Sequence, residues 1–331
     1  MFEYVRGRSR TDIKGGNQML NYIIKRLLVS ILVVIGVTIV IFSLVHLAPG
    51  DPVQMMAGLD AKPEDVAALR AKLGMDRPLI IQYFSYARDL LRFDLGTSIV
   101  TNKSISEEVF LHFRNTAELA VVGVSVAAVL GIVVGIVAAV NRDTWIDKTL
   151  MGMAITGISM PSFLLALLLM LLLVSRWGLL PASGREGSPF TAEGFRYIIL
   201  PALTLGINGM ASIARLTRSS VVATLNEEFV MTLKAKGLRR KAIVFKHVLR
   251  NASLPILTMV GLDFGYLLGG SVVTETIFAW PGIGKYAMDA INQNDFPAVQ
   301  GAVLILSIMF MIINLIVDLL YGVLDPRVSL E

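Results

Sequence analysis

The residues able to do covalent or metal chemistry are few and scattered. The 331 residues include three histidines, His46, His112 and His247, and no cysteine. No His-Glu-x-x-His spacing occurs that would hold a catalytic zinc. Without cysteine there is no thiolate metal site, no disulfide and no thiol nucleophile. Gly282-Ile283-Gly284-Lys285-Tyr286 approaches a phosphate-cradling loop, but that motif needs a glycine where Ala279 stands and a Ser or Thr where Tyr286 stands. The chain is therefore read as a non-enzyme, with no metal site and no cofactor of its own. What remains is a set of polar groups inside apolar runs: Asp263, Asn208, Ser159 beside Pro161, Thr274, and the pair Asn314 and Asp318 four residues apart.

The elements that position these groups follow from composition. The chain is 55% hydrophobic and 17% charged, against roughly 45–50% and 25% in soluble domains. Mean hydropathy is +0.69. This excludes disorder and a disulfide scaffold and points to a membrane protein. A spanning helix needs about 20 mostly apolar residues. Six stretches qualify: Leu27–Leu47, Leu119–Val140, Met151–Val174, Ile198–Ala214, Leu254–Val273 and Val299–Val317. The fold class expected is an all-α integral membrane bundle of six spans. Residues 1–18 read as a polar, basic extension, and 19–331 as a single transmembrane domain with a large outer loop over 48–118.

Charge sets the orientation. The formal net charge is +5. With a cytosolic N-terminus, 18 of the 30 lysines and arginines fall on the inner segments, at about twice the density of the outer ones. Both termini and the loop 215–253 are then cytosolic. The basic excess needs no nucleic acid to explain it.

In lipid, helices associate by close packing, which small residues permit. Gly123, Ala127, Gly131, Gly135 and Ala139 repeat every four residues in the second span, and Gly261, Gly265 and Gly269 do so in the fifth. Asp263 lies about 200° around the helix from Gly261. It either lines a polar path or pairs with a neighbouring helix, for instance through Asn208. Pro161 predicts a kink in the third span, which serves gating or packing alone.

The long inner loop carries the most information. Glu227, Glu228, Phe229, Leu233, Ala235, Lys236 and Gly237 read as a short amphipathic helix stopped at the glycine. A second short helix follows through His247, Arg250 and Asn251 to Pro255. Phe229 and Leu233 share one apolar face, flanked by basic residues. Such a helix lies on lipid or docks in a partner's groove.

This loop resembles the coupling loop of ABC-importer permeases of the dipeptide/oligopeptide/nickel branch. The carrying residues are Ala235-Lys236-Gly237, Phe245-Lys246-His247, Leu249-Arg250-Asn251 and Leu254-Pro255. Agreeing segments are Pro49-Gly50-Asp51-Pro52, Asp94-Leu95-Gly96, Ala214-Arg215-Leu216-Thr217-Arg218, Glu275 to Gly282, and Asp325-Pro326. The general Glu-Ala-Ala-x-x-x-Gly pattern survives only in Gly237, since Met231, Thr232 and Leu233 hold the other places. The resemblance implies a type I importer permease of the bacterial cytoplasmic (inner) membrane. It would pair with a second permease subunit, two cytosolic subunits that use ATP and magnesium, and an extracytoplasmic peptide-binding protein. It implies that Trp280, Pro281 and Gly282 lie on the outer loop that receives cargo. Small peptides are the expected cargo, with glutathione or nickel as alternatives. An ion-coupled secondary transporter, with Asp263 as its ion site, is the competing class.

Overall fold

The computed structural model describes residues 24–43, 46–47, 52–57, 61–72 and 74–324. The extension 1–18, Pro49-Gly50-Asp51, Asp325-Pro326 and the side chains of Pro52 and Asp318 lie outside the described residues. The described chain is helical, with one isolated β-bridge, Thr97 to Ser104. In order, the helices are α1 (Ile24–Ser43), α2 (Pro52–Ala57), α3 (Pro63–Lys72), α4 (Leu79–Leu90), α5 (Ile105–Val140), α6 (Trp145–Ser159) and α7 (Ser162–Leu169). A π-helical stretch, Met170–Arg176, continues α7. Then come α8 (Ala192–Leu225), α9 (Glu228–Ala235) and α10 (Arg240–Ala242). A second π-helical stretch, Ile243–Val248, joins α10 to α11 (Leu249–Gly270). The last helices are α12 (Val272–Ile277), α13 (Ile283–Asn292) and α14 (Phe296–Leu324).

Among the described residues, five helices are long and apolar enough to cross a membrane, and six if α6 with α7 counts as one span. That pair is the expected third span, Met151–Val174, and its break falls at Pro161, where a kink was expected. The two halves meet at 106°. Met160 is extended (φ −85°, ψ 124°), and so is Pro161 (φ −56°, ψ 137°). Proline disfavours the helical conformation in the residue before it and has no N–H to donate, so the helix stops and restarts at Ser162.

The centre of the bundle is α5 against α8. Gly123, Ala127, Gly131, Gly135 and Ala139 are all buried. A Cβ on Gly135 would stand 2.6 Å from the Ala214 carbonyl oxygen and from Thr217 Cβ; on Gly131 it would stand 2.8 Å from Ile213 Cβ. Only glycine permits this approach, because the atoms met are backbone carbonyl oxygens and Cβ atoms fixed to the backbone, which cannot step aside. On α11 the second glycine row faces α14, with Gly261 against Val317 and Gly269 against Phe310. Asp263, on the other side of α11, faces Gly209 of α8.

Helix lengths exceed the expected spans. α5 has 36 residues and α8 has 34, so each is about 50 Å long against a hydrocarbon core of about 30 Å. Both project well beyond the bilayer. The projecting end of α8 carries α9 after only Asn226 and Glu227. The expected second short helix of that loop is instead the start of a span. Arg240 through Gly269 runs as one helical body.

Candidate functional site

A cavity of about 420 Å³ lies between the α6–α7 break, α8 and α11. It falls in the size range of small-molecule sites, about 300–1,000 Å³. Its wall brings together Asn208, Asp263 and Thr274, three of the residues singled out by sequence. It also holds Ser162, Ser212 and Tyr266, which sequence reasoning did not select. Ser159 and Pro161 are absent from the wall, although their neighbours Ile158, Met160 and Ser162 line it. Ser159 turns its hydroxyl back to the Ile155 carbonyl at 3.0 Å. Asp263 is the acidic group of this wall. Its Oδ2 is buried without a hydrogen-bond partner. A Cβ on Gly209 would sit 3.1 Å from that oxygen, so glycine there leaves the carboxylate its room. Asn208 donates to the Thr204 carbonyl at 3.3 Å and does not pair with Asp263.

A second cavity of about 360 Å³ adjoins the first at Ile158. Lys148, Arg215, Arg218 and Ser219 line it. Asn208, Ser212, Arg215 and Ser219 recur at spacings of three and four, so they form one stripe down α8. The two cavities follow that stripe toward the end of the bundle that carries α9. There Asp147, 3% exposed, takes both Nε and Nη2 of Arg218 at 2.6 Å. The Asp143 N–H also donates to it, at 3.0 Å. This fork ties α6 to α8. Arg240 donates to the Val140 carbonyl at 2.6 Å, satisfying the open C-terminus of α5.

At this end α9 stands where the coupling loop was expected. Gly237 takes φ +75°, the left-handed conformation that ends the helix. The apolar face of α9 singled out by sequence is turned inward. Phe229 and Leu233 are partly buried against the chain's own cluster of Val221, Val230, Ile243, Val244 and Val248. The apolar side chains left outside are Met231, 73% exposed, and Phe245, 64% exposed. Glu227, Glu228, Lys234, Ala235, Lys236, Arg250, Asn251 and Pro255 are exposed around them, and His247 is half-buried.

The opposite end is closed by a knot that sequence reasoning missed. Glu275 is fully buried. Its carboxylate accepts from Thr116 Oγ1 at 2.6 Å, Ser271 Oγ at 2.7 Å and the Lys285 N–H at 2.9 Å. Trp280 was expected on a loop that receives cargo. Its ring is instead fully buried and donates to the Asn115 carbonyl at 2.9 Å. The Pro281 carbonyl accepts from Asn115 Nδ2 at 2.8 Å, and Gly282 lies directly under Glu275. An indole and a carboxylate at this depth need internal partners, and the turn supplies them. Among the described residues no group of three or more His, Asp or Glu could hold a metal.

Comparison with known proteins resolves the class. Residues 131–330 match the family described as binding-protein-dependent transport system inner membrane component. Residues 19–120 match its N-terminal companion. The chain belongs to this family. It is a multi-pass membrane permease of the ABC-importer type, which replaces the ion-coupled alternative. The dipeptide transport system permease protein DppB of Alkalihalophilus pseudofirmus is 42% identical over 332 residues, covering 94% of this chain and 100% of the relative. The glutathione transport system permease protein GsiC of Salmonella typhi is 42% identical over 310 residues, covering 94% and 99%. DppB of Escherichia coli is 41% identical over 335 residues, covering 94% and 99%. The permease also shares its fold with a chain of the inward-facing MetNI methionine ABC transporter. The TM-score is 0.54 at 17% identity, over 66% of this chain and 96% of that one.

Proposed function

We propose that this permease forms half of the translocation pathway of an ATP-driven importer of small peptides in a bacterial cytoplasmic membrane. A second permease subunit completes the pathway as a heterodimer. Two cytosolic subunits hydrolyse ATP with magnesium, and an extracytoplasmic binding protein delivers the peptide. Both termini and residues 215–253 are cytosolic. One observation carries the reading: the helices that wall the cavity are continuous with the exposed elements of the basic end. α8 passes through Asn226 and Glu227 into α9, and α10 and the π-helical stretch Ile243–Val248 run without a break into α11. A partner that pushes on α9 therefore tilts the cavity wall, because rigid helices transmit the displacement. Glutathione is the second reading of cargo, since relatives named for dipeptide and for glutathione are equally identical to this chain.

The contact surface for the ATPase subunits is Met231 with Phe245. Replacing both by Ala in the assembled transporter removes exposed apolar anchors without opening the core. Dialanine uptake should fall while the complex stays in the membrane and its basal ATP hydrolysis persists. Uptake at the wild-type rate, with hydrolysis still stimulated by the loaded binding protein, would refute this assignment.

A further inference from the structure

We propose that Asp263 is a selectivity site that binds a cationic side chain of cargo in transit, so that the pathway itself favours peptides with a cationic side chain over those with an anionic one. This rests on the cavity being the pathway, as proposed above. Asp263 lies seven residues before the end of α11 at Gly270, about 10 Å along the helix axis. An ionisable group at that depth faces a partner or a water-filled path. Here the partner is missing. Oδ2 is buried with no hydrogen bond, and no salt bridge reaches Asp263 among the described residues.

The surroundings match an ammonium in chemistry. Asn208 offers an amide oxygen, and Ser212 and Thr274 offer hydroxyls, all on the wall that Asp263 shares. These are acceptor groups around one carboxylate, without a lysine or arginine to neutralise it. A buried carboxylate oxygen left without a partner is costly, and an entering ammonium removes that cost by charge pairing. Lys148, Arg215 and Arg218 lie in the adjoining cavity nearer the basic end, on a wall shared with Asp143 and with Asp147, which pairs Arg218. Arg215 is six residues beyond Gly209, which faces Asp263, so the two charged levels are about 9 Å apart along α8.

The test compares two labelled probes, Ala-Lys and Ala-Glu, in the complete transporter with its binding protein. Each maximal uptake rate is measured for the wild type, Asp263→Asn and Ser212→Asp. The same binding protein serves every variant, so its own preference cancels when the ratio of the two rates is compared between variants. Asp263→Asn should shift the Ala-Lys to Ala-Glu ratio toward Ala-Glu by roughly tenfold, the scale of one charge pair in a partly buried site. Ser212→Asp, which adds a carboxylate to the same wall, should shift it the other way and keeps the test open if the first variant does not fold. A ratio unchanged in any variant that still transports overturns the proposal alone. Failure of the wild type to take up either probe overturns the peptide reading, and this proposal with it.

Discussion

Removing the Glu275 carboxylate should loosen the end of the bundle opposite α9, and a glycine seven residues further along the chain offers the means to prove it. Thr116 of α5, Ser271 and the Lys285 N–H all donate to this one side chain. Bonds to a carboxylate contribute roughly 1.5–3 kcal/mol each. The two hydroxyls can rotate toward other acceptors when it is lost, whereas the Lys285 N–H cannot. Glu275→Ala should therefore destabilise by about 3–4 kcal/mol rather than the full sum. Gly282 supplies the second perturbation. Its φ of −89° suits any residue, so an Ala there meets no backbone penalty. Its Cβ would lie 2.3 Å from the Glu275 carboxyl carbon. Gly282→Ala must push the carboxylate off its donors and lose much of the same network.

The two changes should therefore not add. With Glu275 truncated, the added methyl occupies the vacated space, and Gly282→Ala should cost little further. A double-mutant cycle should give a coupling of about 1–3 kcal/mol, the range for residues in direct contact. The assay is the unfolding equilibrium in mixed detergent micelles, followed by tryptophan fluorescence. Hydrogen exchange at the Ile283 and Lys285 amides supplies a local reading. Additive effects, within about 0.5 kcal/mol, would refute the contact-based reasoning.

Two further outcomes follow from the opposite end. Asp147→Asn should destabilise the α6–α8 junction by about 2–4 kcal/mol, because it breaks a forked pair and strands Arg218; Arg218→Lys, which keeps charge but not the fork, should recover only part of this, as the same unfolding equilibrium will show. Gly237→Ala should raise hydrogen exchange of the α9 amides by the equivalent of about 1 kcal/mol, purely from the left-handed backbone, since no atom lies near its Cβ; Gly237→Asn should be milder, and equal exchange in all three proteins would refute the conformational account.

Much of the bundle was legible because lipid imposes a simple rule. About 20 apolar residues mark a span, and α1, α5, α11 and α14 obeyed it. Hydropathy reports membrane thickness, however, and not helix length or direction. It could not show that α8 extends from Ala192 to Leu225, and although Pro161 marked the turn in the third apolar run, nothing in the sequence set its angle of 106°. The cavity wall was partly legible for the same reason. Asp263, Asn208 and Thr274 stand out as polar groups in apolar surroundings. Glu275 and Asp147 did not stand out, because each sits in a stretch that reads as a loop. Their burial depends on partners far away in sequence, such as Thr116 and Arg218.

The coupling helix shows where periodicity alone runs out. Spacing places Phe229 and Leu233 on one side of α9, and Met231 lies about 200° from Phe229 on the other. A helical period shows which residues share a face, but both faces here carry an apolar side chain. The choice between them is made by the two valines and one isoleucine of the following segment, Ile243, Val244 and Val248, which are buried and draw Phe229 and Leu233 inward. That segment is close in space only because Gly237 reverses the chain and Arg240 is fixed to the Val140 carbonyl at the end of α5. The outward face of α9 is thus decided by α5 and the start of α11, so its exposed Met231 is a consequence of the fold and not of the helix's own pattern.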